Sequence, residues 1–169
     1  MRWLYLVQLL ANGTRFIERS NEKALAKREF LKATLSILCT ELGKMKDLKK
    51  YYIISATPEE VYNALTNPLA IRLWTGEPAE MTEEPGSEFS LWDGSICGRN
   101  ISFISGKKIE QQWYFGEQEE PSVVTIILHP HADGTSVELR HKNIPDSEYN
   151  DIKEGWDESY FLALDEFFS

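Results

Sequence analysis

The sequence predicts an α+β fold: a curled antiparallel sheet of six or seven strands wrapped around a long C-terminal helix, with two short helices after the first strand. Three observations predict it. Two helix-start signals follow one another within Ala56–Trp74, and turn-separated stretches with alternating apolar residues fill Phe89–His141. From about Tyr149 to Phe168, apolar side chains then recur about 3.6 positions apart.

Tyr51–Ser55 reads as the first strand, since its residues are aromatic and β-branched. Thr57 follows as an N-cap whose side-chain oxygen can accept from the amide three residues on. Pro58 occupies the first helical position, where its missing N–H costs nothing, and Glu60 closes a capping box. Asn67-Pro68 repeats the signal, so a first helix over 58–65 has room for about two turns before a second begins near 68. Val61, Tyr62, Leu65, Leu69, Leu73 and Trp74 are expected to share one kinked apolar ridge. Helices this short are not stable alone and need a sheet to lie against.

The sheet comes next. Phe89 and Leu91, with Met81 before them, alternate with polar residues up to Asp93-Gly94, a hairpin signal, and the chain returns through Ile96–Ile104. Gly106-Lys107 turns into Lys108–Phe115, where Ile109, Gln111, Trp113 and Phe115 fall on one face and Glu110, Gln112 and Tyr114 on the other. Val123–His129 and Thr135–His141 flank Asp133-Gly134, the strongest hairpin signal in the chain. A strongly twisted sheet of this size curls. The closing helix places Ile152, Trp156, Tyr160, Ala163, Leu164 and Phe167 on its apolar face, with Asp151, Glu154, Asp157, Glu158 and Asp165 opposite. Some twenty residues make a helix about 30 Å long, enough to cross the concave side of such a sheet.

Composition bounds the function. A formal net charge of −9 argues against nucleic acid and anionic membranes as partners, because those are bound by clustered Lys and Arg. No stretch approaches the ~18 consecutive apolar residues of a membrane span. Cys39 and Cys97 are too few and too isolated for a disulfide framework, which fits a cytoplasmic setting. The charge is uneven: residues 1–44 carry eight Lys/Arg against four Glu, whereas 45–169 carry ten against twenty-three acidic residues. Met45-Lys46-Asp47-Leu48 reads like a protein start running into a strand. Residues 1–44 are therefore expected to be an N-terminal extension, either a mis-assigned start or a loosely packed helix, and 45–169 the folded domain. Their opening MRWLYLVQLLANG imitates a secretory signal, but Gln8 interrupts the apolar run and no clear cleavage pattern follows.

Several words of the sequence carry a resemblance: ATPEEVYNALTNPLAIRLW, the strand ending in Trp113, VTIIL with the following DGT, ELRH before Asn143-Ile144-Pro145, and Gly155-Trp156. Over about residues 48–169 the chain resembles the helix-grip fold of the START-like (SRPBCC) superfamily. Within it, the chain is similar to small bacterial members related to the C-terminal domain of the activator of heat-shock protein 90 ATPase. The resemblance implies the fold. It leaves the activity open, because lipid carriers, hormone receptors, aromatase/cyclase enzymes and co-chaperone domains share the scaffold.

Trp74, Trp113 and Trp156 lie on elements that bound the space between sheet and helix, where they either line a cavity or fill a core. Phe89, Leu91, Leu139 and Tyr160 share the inward faces, and His141 ends the inward row of Val137 and Leu139, where it could offer a polar contact. Those eight residues other than Val137 form the expected ligand-binding set. Trp92, beside the Asp93-Gly94 turn, is placed at a rim or entrance. His129 and His131 flank Pro130 with no further ligand to complete a metal set, and no motif for a nucleophile, phosphate loop or metalloprotease occurs. The sequence thus indicates no catalytic residue, metal or cofactor. It reads first as a non-enzymatic protein holding a small, mostly apolar molecule between sheet and helix. The alternatives are a chaperone-linked interaction module, by the resemblance alone, and a cyclase- or hydrolase-like enzyme using His141 or Gln111.

Overall fold

The computed structural model describes residues 45–115 and 120–169. The expected N-terminal extension, with Cys39, and the loop residues Glu117 and Glu119 lie outside the described residues.

Six strands form one antiparallel, curled sheet: β1 (Met45–Ile54), β2 (Glu88–Leu91), β3 (Ile96–Ile104), β4 (Lys108–Trp113), β5 (Ser122–His131) and β6 (Gly134–Pro145). Their spatial order is β1-β6-β5-β4-β3-β2. Four of these connections are hairpins between sequence neighbours, and β1 closes the far side by pairing with β6 from Met45↔Pro145 to Ile54↔Thr135. The first strand is therefore longer than the aromatic stretch that announced it. Alternation fails as a signal in Lys46–Lys50 because the inward position at Lys50 is a lysine that pairs with Asp157, while exposed Lys46 and Lys49 charge this edge strand and discourage edge-to-edge pairing.

Helices α1 (Pro58–Thr66) and α2 (Pro68–Thr75) start where their caps predict. Glu60 N–H donates to Thr57 Oγ1 at 3.4 Å and Thr57 N–H to Glu60 Oε2 at 2.9 Å, a complete capping box. Asn67 Oδ1 accepts from the amides of Leu69 and Ala70. The continuous ridge does not form. Asn67 is extended (φ −86°, ψ 118°), which breaks the phase between the two helices. Ile71 and Trp74 turn inward, Trp74 Nε1 donates to the Ala64 carbonyl at 2.9 Å, and Leu69 and Leu73 are left 68% and 73% exposed.

The closing helix runs as α3 (Tyr149–Glu154), a π-helical turn (Gly155–Tyr160) and α4 (Phe161–Phe167). The π turn inserts one residue into the helical repeat, marked by the Phe161 amide bonding the Trp156 carbonyl five residues back. The apolar face consequently shifts: Trp156, Tyr160, Phe161 and Leu164 are buried, while Phe167, expected on that face, is 40% exposed. Asp157, expected on the solvated acidic face, instead accepts from Tyr52 Oη at 2.8 Å and pairs with Lys50, both on β1. Tyr52 also stacks on Phe161 with ring centroids 4.0 Å apart. Two residues of one edge strand thus hold the irregular turn against the sheet.

The inner face of the sheet forms rows set by register. Leu139 lies between Lys50 and Ile126, with Ile109 beyond, and His141 lies between Leu48 and Val124, with Gln111 and Asn100 beyond. Phe89 pairs with Gly98, and Gly98 with Trp113. A Cβ at Gly98 would stand 2.0 Å from the Gln112 carbonyl and 2.6 Å from the Phe89 ring, so only glycine lets that ring lie down on the sheet.

Candidate functional site

Where the concave sheet meets the π turn, aromatic rings form one connected series. Trp92 touches Trp74 and Tyr160 (centroids 5.3 and 5.4 Å), Tyr160 touches Trp156 (4.6 Å), and Trp156 touches Trp113 (4.8 Å). Trp92 reaches this series from an uncommon backbone. In the four-residue turn between Leu91 and Ile96, both Trp92 (φ 49°) and Asp93 (φ 51°) are left-handed, a conformation that costs a bulky residue about 1–3 kcal/mol. The turn is anchored by Asp93 N–H on the Pro78 carbonyl (3.2 Å) and Ser95 N–H on that of Trp92 (3.1 Å).

A pocket of about 270 Å³ opens between this turn and the closing helix. Trp92, Ile96, Trp113, Ile152, Trp156 and Tyr160 supply its apolar wall, and Gly155 forms part of the floor. Gly155 has ordinary helical torsions, and a Cβ there would meet nothing within 4 Å, so the missing side chain is space in the pocket. The lining also carries Ser95, Asp151 and Ser159, and the Tyr160 hydroxyl and Trp92 indole N–H belong to lining residues.

Behind the wall, polar groups are satisfied. His141 is fully buried between Ser122 Oγ, 2.8 Å from its Nε2, and Trp156 Nε1, which donates to its Nδ1 at 3.1 Å. Ser122 in turn donates to the Lys142 carbonyl. Burial without a carboxylate partner pushes the His141 pKa down to about 3, so the imidazole is neutral. Burial likewise pushes the Tyr160 phenol up. Trp113 Nε1 donates to Gln111 Oε1, Gln111 Nε2 to Asn100 Oδ1 at 2.8 Å, and Asn100 Nδ2 to the Thr82 carbonyl and Ser87 Oγ. These networks hold strands β3–β6 and the 82–87 loop in register. They leave neither His141 nor Gln111 an open valence for acid–base work.

Of the eight residues expected at the site, the structure brings Trp113, Trp156 and Tyr160 to the pocket wall. Trp74 stands behind Tyr160, 5.1 Å away, with its indole N–H spent on α1. Phe89, Leu91, Leu139 and His141 are buried in the core away from the pocket lining. Lining residues beyond the expected set are Ser95, Ile96, Asp151, Ile152, Gly155 and Ser159, together with Trp92 from the rim. The available signals were a glycine inside a helical repeat and a tryptophan beside a hairpin turn. Among the described residues, no three His, Cys, Asp or Glu side chains converge as a metal set. His129 instead contacts Glu138 at 3.3 Å, and Lys49 and Arg140 hold that carboxyl down at about 2. Nor is any described helix long and apolar enough to cross a membrane.

The family model described as Activator of Hsp90 ATPase homolog 1-like protein matches residues 55–169. The chain is similar to the activator of 90 kDa heat shock protein ATPase homolog of Dictyostelium discoideum, 29% identical over 69% of this chain and 31% of that protein. It is 28% identical to homolog 1 of Mus musculus over 72% of this chain and 36% of that protein. The chain thus spans about a third of the length of these relatives. Among solved structures, an HSP90 activator from Plasmodium falciparum superposes with a TM-score of 0.62 and 27% identity, covering 73% of this chain and 96% of that one. The Aha1 dimer from Colwellia psychrerythraea gives 0.63 at 19% identity, with 73% and 96% covered, a likeness of fold.

Proposed function

The chain belongs to the Activator of Hsp90 ATPase homolog 1-like family, and from that premise we propose that it is a non-enzymatic module that binds a small, mostly apolar molecule between the sheet and the closing helix. The observation that carries this reading is the pocket of about 270 Å³, walled by three tryptophans and a tyrosine and floored by a glycine. That size suits a molecule of one or two rings, near the lower end of the ~300–1,000 Å³ typical of ligand sites. Neutral, fully bonded His141 and Gln111 speak against proton transfer at this site, and hence against the cyclase or hydrolase alternative.

Native mass spectrometry of protein purified from its own host tests the proposal. It predicts a non-covalent adduct of small mass that is lost on unfolding. Protein that carries no adduct and takes up no neutral apolar fluorophore would contradict it.

A second reading, a chaperone-linked interaction module, is favoured by the likeness to the Plasmodium falciparum HSP90 activator, nearly all of which is covered by this chain. The exposed Leu69 and Leu73 on α2 offer apolar surface for such a partner. Titrating the purified chain into the host's purified HSP90, and following both association and ATP turnover, tests that reading. No association at tens of micromolar would remove it.

A further inference from the structure

We propose that the ligand of this pocket is an amphiphilic organic cation, an amine or ammonium group carried on an apolar or aromatic body; this rests on the pocket-binding reading above.

The polar groups behind the pocket wall are engaged: Gln111, Asn100, Ser122 and His141 are all held in hydrogen bonds. The carboxylate and the serine hydroxyls of the lining are not. Among the described residues, neither the Asp151 carboxylate nor the hydroxyls of Ser95 and Ser159 enter a side-chain hydrogen bond or ion pair, and all three are exposed at the pocket. Their chemistry has a sign. A carboxylate only accepts, and two hydroxyls can both orient to accept, so together they complement a positively charged donor. The apolar wall agrees, because indole and phenol faces attract cations through their ring quadrupoles.

The wider field points the same way. The first half of the closing helix bears Asp151, Glu154 and Glu158 against Lys153, with Glu148 just before it, and residues 45–169 carry ten Lys/Arg against twenty-three Asp/Glu. Such a surface attracts cations to the pocket mouth and repels anions. A fatty acid or other apolar carboxylate is thereby disfavoured.

The test uses three ligands of one shape: 2-naphthylmethylamine, 2-naphthalenemethanol and 2-naphthoate, titrated calorimetrically at neutral pH and low salt into the full chain and its Asp151→Asn variant. Because Asp151 is exposed and unpartnered, the variant is expected to fold as the wild type does. The wild type should bind the amine about two- to fivefold more tightly than the alcohol, the scale of one exposed charge pair, and the carboxylate most weakly. Asp151→Asn should clearly reduce the preference for the amine over the alcohol, since it removes the one carboxylate among the lining residues. Equal affinity for amine and alcohol in the wild type, or an amine preference undiminished by Asp151→Asn, would overturn the cation proposal while leaving the pocket-binding reading intact. If none of the three binds, both fall.

Discussion

The indole Nε1 of Trp156 donates to His141 Nδ1 at 3.1 Å, and since an indole N–H can only donate, that ring nitrogen carries no proton. The proton sits on Nε2, facing Ser122 Oγ. A residue on the closing helix therefore fixes the tautomer of a residue on β6, joining the two halves of the fold through one buried bond.

A neutral His141 has a measurable consequence. Its folded pKa of about 3 lies below the unfolded value of 6.5, so the unfolded chain binds a proton that the folded chain refuses. The contribution to stability is complete above pH 6.5 and declines as pH falls toward 3, by about 1.4 kcal/mol per pH unit within that window. The His141 ring signals in a heteronuclear NMR titration should stay flat from pH 7.5 to 4.5. Movement centred near 6.5 would show that the ring is solvated and the bond to Trp156 absent.

Trp156→Phe removes the N–H donor together with one ring of the indole, leaving His141 Nδ1 buried and unpaired, so it should cost at least about 1–3 kcal/mol. Trp156→Ala should cost more, about 3–5 kcal/mol for a largely buried aromatic. Urea unfolding of both variants gives the comparison, and a Phe variant as stable as the wild type would deny the bond any energetic role.

Thr57→Ala should destabilise by ~0.5–2 kcal/mol through loss of the α1 cap, and Glu60→Ala by less, since it removes only the reciprocal half of the box. Equal urea midpoints for wild type and Thr57→Ala would place the start of the helix elsewhere.

The parts of the fold that were legible in the sequence are those governed by local chemistry. Caps at Thr57 and Asn67 and turns at Asp93-Gly94 and Asp133-Gly134 carry their own signals, and period-two alternation placed Gln111, Trp113 and His141 on the inner face. What stayed hidden depends on phase. Gly155–Tyr160 reads as ordinary helix, because a π turn has no composition of its own, and the frame beyond it slips so that Phe161 enters the core and Phe167 leaves it. Extended Asn67 slips the frame again, which exposes Leu69 and Leu73. At the site, inward orientation was readable but the position of the void was not. Phe89, Leu91, Leu139 and His141 face inward as expected, yet the space lies beside the Trp92 turn and Gly155.

Gly155 gives the most direct test of the central claim, that this space receives a ligand. Its torsions suit any residue and nothing stands within 4 Å of its would-be Cβ, so Gly155→Leu fills the pocket from the floor without forcing the backbone. Replacing a helical glycine should also leave stability equal or raised by up to about 1 kcal/mol. Binding of N-phenyl-1-naphthylamine, followed by its fluorescence in wild type and Gly155→Leu, should show saturable uptake by the first and at least tenfold weaker uptake by the second, with an unchanged or higher Tm. Equal uptake by a stable Gly155→Leu protein, or none by the wild type, would contradict the account.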